Sequence, residues 1–209
     1  MRSRMSKRRV GLVMMIIGVL AVAAALGLGG YNLWDNYRAG IQAAAVMNDI
    51  AQRQEETKQS ALDEEQEASP DPDREMPVLE IDGKRYIGTI SIPAVDIELP
   101  VQKGWSLSLL RTAPCRYKGS AYQGDLIICA HNYATHFGRL KNILTGDKVI
   151  FTDIDGNEFR YTVVAIEILG GTAVDEMESG EWDLTLFTCT LGGKTRITVR
   201  CSVIENDKV

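Results

Sequence analysis

The sequence predicts a mainly β protein: a closed barrel of seven to eight strands with short helices, preceded by an N-terminal transmembrane helix and a helical or disordered stalk. Three observations carry this. No charged residue occurs from Val10 to Trp34, a run longer than the ~20 apolar residues that cross a bilayer as a helix. From Val78 onward, short runs rich in β-branched and aromatic residues alternate with turn residues. Between these regions a polar segment from Asn36 to Glu75, rich in Glu, Gln and Ala, favours helix until Ser69-Pro70-Asp71-Pro72 stops it.

Residues 1–9 form a basic tip with Arg2, Arg4, Lys7, Arg8 and Arg9, which the positive-inside rule holds in the cytoplasm. Residues 10–34 are the expected transmembrane signal-anchor, with Tyr31, Trp34 and Tyr37 as an aromatic belt on the far side. Ala21-Val22-Ala23 is a small-residue site of the kind that ends a cleaved signal peptide, but the uncharged run is too long for an ordinary signal core. The topology read from this is a single pass, N-terminus in the cytoplasm and the rest outside. Residues 35–77 read as an extracytoplasmic stalk, either a spacer with a helix against the barrel or an acidic linker. The net charge of −5 includes the basic tip, so the exported part is more acidic than the total, which argues against nucleic acid as a partner. Residues 78–209 leave about 130 residues, enough for one domain with its own core.

Within that domain, Arg85 to Ile92, Asp96 to Val101, Gly124 to Ala130, Lys148 to Thr152, Glu158 to Leu169, Asp183 to Cys189 and Thr195 to Ile204 read as strands. Asp155-Gly156-Asn157 is a hairpin turn. Short helical turns are expected at residues 106–110 and 138–144. Strands at this spacing favour a closed barrel over an open sheet.

The chemistry converges on strand ends. Leu184-Thr185-Leu186-Phe187-Thr188-Cys189 delivers a cysteine to the end of one strand, Gly192-Gly193 reverses the chain, and Arg196 begins the next. Leu126 to Ala130 stops at His131, one of two histidines in the chain with His136. A thiol is nucleophilic as thiolate and needs a neighbouring cation when its pKa is near 8.5. His131 can supply that charge and exchange protons with an amine. A guanidinium keeps its charge and suits a developing oxyanion. Residues 196, 198 and 200 share parity, so Arg196 and Arg200 both fall on the cysteine's side.

Thr185-Leu186-Phe187-Thr188-Cys189 resembles the TLxTC signature of the sortases, membrane-anchored cysteine transpeptidases of Gram-positive bacteria. Gly88 to Pro93 with Leu99-Pro100-Val101 is similar to the first strands of a sortase barrel, and Ala130-His131-Asn132 to the family's strand-end histidine. The pieces follow in the family's order from about Tyr86 to Ile204. The resemblance implies His131, Cys189 and Arg196 as catalytic residues, the arginine because the family places it at the start of this strand. It also implies that Cys189 forms a thioester with a C-terminal LPxTG-like sorting motif of surface proteins, then passes the acyl group to an amine of the cell-wall precursor or to a pilin lysine. The subclass it suggests is B- or D-like, and the connection from Gly170 to Asp183 is the expected cover of the groove.

Other readings stand beside this one. Cys189 as half of a disulfide with Cys115, Cys129 or Cys201 is one; Cys129 and Cys201 lie in apolar strands as core residues, and Cys115 in a Pro-containing loop. His136 is the alternative base, or a residue lining the edge of the site. No cofactor and no metal are expected. Two histidines five apart lack the spacing of a zinc site, and Gly170-Gly171 lacks the Lys and helix of a phosphate loop. Some sortases bind calcium beside the groove, but Asp153, Asp155 and Glu158 need no ion as hairpin residues. The functional alternatives are a thiol hydrolase with water as acceptor and a non-catalytic, membrane-anchored barrel that binds peptide or cell wall.

Overall fold

The barrel closes because one strand pairs along both of its edges. The computed structural model describes residues 7–63 and 74–204. Its strands are β1 (Leu79–Ile81), β2 (Lys84–Ile92), β3 (Ile97–Gln102), β4 (Cys115–Lys118), β5 (Leu126–Ala130), β6 (Lys148–Asp153), β7 (Glu158–Gly170), β8 (Leu184–Cys189) and β9 (Thr195–Val203). β2 pairs antiparallel with β3 on one side and with β6 on the other. The ring therefore runs β2-β3-β4-β5-β8-β9-β7-β6 and back to β2, with β1 added at the start of β2. Eight strands form the closed barrel that the strand spacing predicts. Where β2 meets β6, Gly88 has φ of 150°, and a Cβ there would collide with the Thr152 carbonyl, so glycine permits the closing contact.

Alternation fills the interior. Ile90 and Ile92 of β2, Leu99 and Val101 of β3, Phe151 of β6, Val163 of β7 and Val199 of β9 are buried in one cluster, each worth roughly 1.5–3 kcal/mol relative to exposure. The expected hairpin at 155–157 joins β6 to β7. There Gly156 has φ of 89°, and Asp153 accepts the Asn157 N–H at 2.9 Å through its side chain.

All seven predicted strands form, within two residues at their ends. β1 and β4 are additions. Cys115, expected in a loop, begins β4, where it pairs with Cys129 of β5. Cys115-Arg116-Tyr117-Lys118 alternates apolar and polar residues, but over only four positions after Pro114 the pattern is too short to stand out as a strand. The helical turns fall at Leu109–Arg111 and Phe137–Asn142 as 3₁₀ segments.

One helix, α1 (Lys7–Asp63), precedes the barrel. The chain divides into two compact units, one to Arg38 and one from Ala39 onward. In the first, Val10 to Leu33 is exposed apolar surface on the one described helix long and apolar enough to cross a membrane. In the second, Ala39, Ala43 and Ile50 are buried along one face of the helix. Ala43 joins the barrel core, and Ile50 packs with Tyr86, Ala113 and Ile154. The segment expected as a stalk is thus helical through Asp63 and partly seated on the barrel. The expected helix stop at residues 69–72 lies outside the described residues.

Candidate active site

β5 and β8 lie side by side and parallel, and both are buried on two faces, which is why they read as continuous apolar runs. Leu126, Ile128, Leu184 and Leu186 point into the barrel. Ile127, Cys129 and Phe187 form a second cluster on the outer wall with Cys115 and Met177. Met177 belongs to α2 (Val174–Glu178), in the connection expected to cover the groove. Leu109 and Leu110 pack against the same cluster.

Strand register then sets the site. Ala130 of β5 is level with Thr188 of β8, and the Thr188 hydroxyl donates to the Ala130 carbonyl at 2.8 Å. The next residues, His131 and Cys189, therefore leave adjacent strands at the same height, about 4.8 Å apart in backbone spacing. On the other edge of β8, Cys189 is the register partner of Arg196. The turn between them is closed by the Thr190 N–H to the Thr195 carbonyl and the Gly193 N–H to the Thr190 carbonyl, both 2.9 Å. Gly192 and Gly193 hold φ of 85° and 71° there, a conformation that glycine adopts at no steric cost. Cys189 thus stands between a histidine strand end and an arginine.

The four thiols are all free. Cys115, Cys129 and Cys201 are buried, and burial pushes the Cys115 and Cys201 thiols up to about 12 and Cys129 upward as well. They stay protonated and inert at neutral pH. Cys189 is exposed, and no disulfide occupies it.

The two arginines of equal parity have different surroundings. Arg196 is half-buried, its guanidinium carbon 5.6 Å from the centre of the Phe187 ring. Arg200 is 2% exposed and donates to Glu167 Oε2 at 2.8 Å, to the Met177 and Glu176 carbonyls at 2.6 Å each, and to Thr185 Oγ1 at 3.2 Å. It binds the last turn of α2 to β7, β8 and β9. The histidines differ in the same way. His131 stacks on Tyr133 with ring centres 4.8 Å apart. His136 is fully buried, and burial, with the nearby His131 charge second, lowers its pKa to about 4. It is neutral at physiological pH and adds no like charge beside His131.

The carboxylates of the β6–β7 hairpin have separate partners. Asp153 is buried and accepts from Tyr122 Oη at 2.5 Å and Asn157 Nδ2 at 2.9 Å. Asp155 pairs with Arg74 at 2.5 Å, and Glu158 with Arg160 at 2.6 Å. Among the described residues no group of three or more His, Cys, Asp and Glu side chains is arranged to hold a metal ion. Lys118 of β4 and Glu178 of α2 pair at 2.7 Å, and Lys118 is the main cause that lowers the Glu178 pKa.

Sequence reading did not find the residues that shape the surroundings: Met177 over the wall, Tyr133 under His131, and Tyr117, which contacts Phe187 edge-on at 5.4 Å. Each lies in a segment too short or too irregular to single it out, and its main signal is the apolar or aromatic residue itself.

The profile of the Sortase domain family matches residues 90–204. The chain is 27% identical over 198 residues to sortase A of Bacillus anthracis, covering 88% of this chain and 89% of that one. Among solved structures, sortase C1 from Streptococcus agalactiae is similar with a TM-score of 0.54 and 26% identity, over 77% of this chain and 91% of that one. Sortase C1 from Streptococcus suis gives a TM-score of 0.51 and 26% identity, over 59% of this chain and 75% of that one. The relatives reported carry the names sortase A and sortase C1, so they single out no subclass. On the family profile, the barrel and the strand-end register together, the chain belongs to the sortase family of membrane-anchored cysteine transpeptidases.

Proposed function

We propose that this protein cleaves a C-terminal LPxTG-like sorting motif through a Cys189 thioester and transfers the acyl group to an amine of the cell-wall precursor or a pilin lysine. The observation that carries the reading is the register that leaves His131, Cys189 and Arg196 on neighbouring strand ends, with Cys189 the one exposed thiol of four. The Cys189 thiolate attacks the carbonyl carbon of the motif's threonine, and the carbonyl π electrons move to oxygen. Arg196 stabilises that oxyanion with N–H donors. On collapse, the C–N bond breaks and His131 protonates the leaving amine. The incoming amine then attacks the thioester, His131 takes its proton, and Cys189 departs as thiolate.

The domain division follows the same reading: residues 1–9 in the cytoplasm, 10–34 as the anchor, 35–77 as the connecting segment and 78–209 as the catalytic barrel outside. The partners are sorting-motif-bearing surface proteins and the amine acceptor. The test incubates the full-length protein in detergent with a panel of sorting-motif peptides, with and without an amine acceptor, and identifies products by mass spectrometry. An amine-dependent ligated product supports the transpeptidase. Cleavage indifferent to amine points to a thiol hydrolase, and binding that survives Cys189→Ala with no turnover points to a non-catalytic module.

A further inference from the structure

A line of aromatic rings leads away from the thiol. Phe187 lies two residues before Cys189 on the same face of β8. Tyr117 meets it edge-on at 5.4 Å, and Trp105 stands a further 5.4 Å from Tyr117, tilted by 32°. Trp105 is 49% exposed, an unusual state for the most area-rich side chain in the protein. It borders an open cleft of about 470 Å³ whose wall also includes Lys103, Arg116, Tyr117, Ser120 and Gln123. The loop that carries Trp105 is fixed at its root: the Lys103 N–H donates to the Arg85 carbonyl at 2.8 Å, and Arg116 Nε donates to the Lys103 carbonyl at 2.9 Å. The platform is therefore preformed, which lowers the ordering cost of binding.

We infer that Trp105, on Tyr117, is a specificity-determining subsite for the substrate segment that precedes the sorting motif, taking an apolar or proline side chain while the polar cleft wall meets the peptide backbone. This rests on the transpeptidase reading above: with the leaving amine departing beside His131, the acyl side of the peptide runs the other way, along the outer wall past Phe187. At about 3.4 Å per residue, the path from Cys189 past Phe187 and Tyr117 to Trp105 spans on the order of five residues of extended chain. The four residues on the acyl side of the motif fall short of it, and the chain upstream reaches it. Continuity with the wall favours the same peptide over a separate ligand.

The experiment uses full-length protein in detergent and three peptides sharing one sorting motif: the motif alone, the motif extended six residues upstream with proline and tryptophan at the fifth and sixth positions before the scissile carbonyl, and the same extension in glycine and serine. The apolar extension is expected to raise kcat/KM about tenfold over the other two, the size of a good aromatic contact. Trp105→Ala brings that ratio to about one, and Trp105→Phe keeps part of it. A gain that persists in Trp105→Ala, a gain from glycine and serine alone, or no gain in the unaltered protein overturns the subsite. Titration of the same peptides onto the Cys189→Ala protein gives a second readout that needs no turnover. If no peptide reacts yet the apolar extension binds about tenfold more tightly in a Trp105-dependent way, the subsite stands and the transpeptidase reading fails; equal affinities overturn the subsite.

Discussion

The hairpin of β8 and β9 has two ends with opposite characters. At one, Cys189 pairs in register with Arg196, the thiol exposed and the guanidinium half-buried over Phe187. At the other, Thr185 pairs with Arg200, whose guanidinium is buried against a carboxylate, a hydroxyl and two carbonyls. The two arginines share a strand, a face and a charge. What separates them is how many acceptors each already serves. A cation committed to four acceptors holds structure together, whereas one resting on an aromatic ring keeps donors for charge that appears during a reaction.

Removing the thiol makes the largest break in this contrast. Cys189→Ala is expected to abolish ligation, a loss of more than about 10³-fold, read as product formed per hour. Arg196→Ala comes next, with kcat down by about 10²–10³ and KM little changed, the pattern of an interaction made in the transition state. Arg196→Lys recovers part of this, because a point charge replaces a fork of donors.

Arg200→Met inverts that pattern. It leaves the Glu176 and Met177 carbonyls without their donor and frees α2, so unfolding free energy falls by about 2–4 kcal/mol. KM rises more than kcat falls, since Met177 then loses its seat on the wall beside Phe187. Denaturant unfolding and steady-state kinetics on the same sample check both halves. If Arg200→Met reduced kcat as Arg196→Ala does, with stability intact, the roles would be reversed.

The histidines sharpen the comparison through pH. Burial lowers the His136 pKa to about 4, against about 6.5 in an unfolded chain. Between those values the unfolded state binds the extra proton, so this contribution is fully present above about pH 6.5 and is lost as pH falls toward 4. The loss is on the order of 3 kcal/mol. His136→Phe removes that slope from the stability profile, and the difference between the two profiles isolates it from the carboxylates. The smallest effect is expected for Cys115→Ala: this buried, protonated thiol contributes no labelling by a thiol reagent at neutral pH, so the labelling rate of the folded protein stays that of Cys189.

How much of this the sequence reveals follows the range of the forces. Runs such as Leu126 to Ala130 and Leu184 to Cys189 are legible because burial on both faces leaves them apolar throughout, and the strand ends carry Cys189 and His131 with them. Parity put Arg196 and Arg200 on one face, and the resemblance favoured the first. Their separate environments depend on Glu167 and on the carbonyls of residues 176 and 177, which no local pattern brings together with residue 200. β4 is hard to read because its apolar-polar alternation lasts only four residues, the minimum for a strand signal. The helix through the stalk is legible in composition, but its seat on the barrel rests on Ala39, Ala43 and Ile50, widely spaced residues whose burial depends on a partner surface.

The most direct test of the account traps the intermediate at the open end of the hairpin. Full-length protein in detergent, mixed with a reactive sorting-motif peptide and no amine acceptor, is quenched in acid and analysed by intact mass and peptide mapping. Catalysis through this thiol predicts an acyl adduct on Cys189 that disappears when amine is added and forms about 10²–10³ times more slowly in Arg196→Ala. An adduct on another residue, or peptide cleavage that proceeds unchanged in Cys189→Ala, would contradict it.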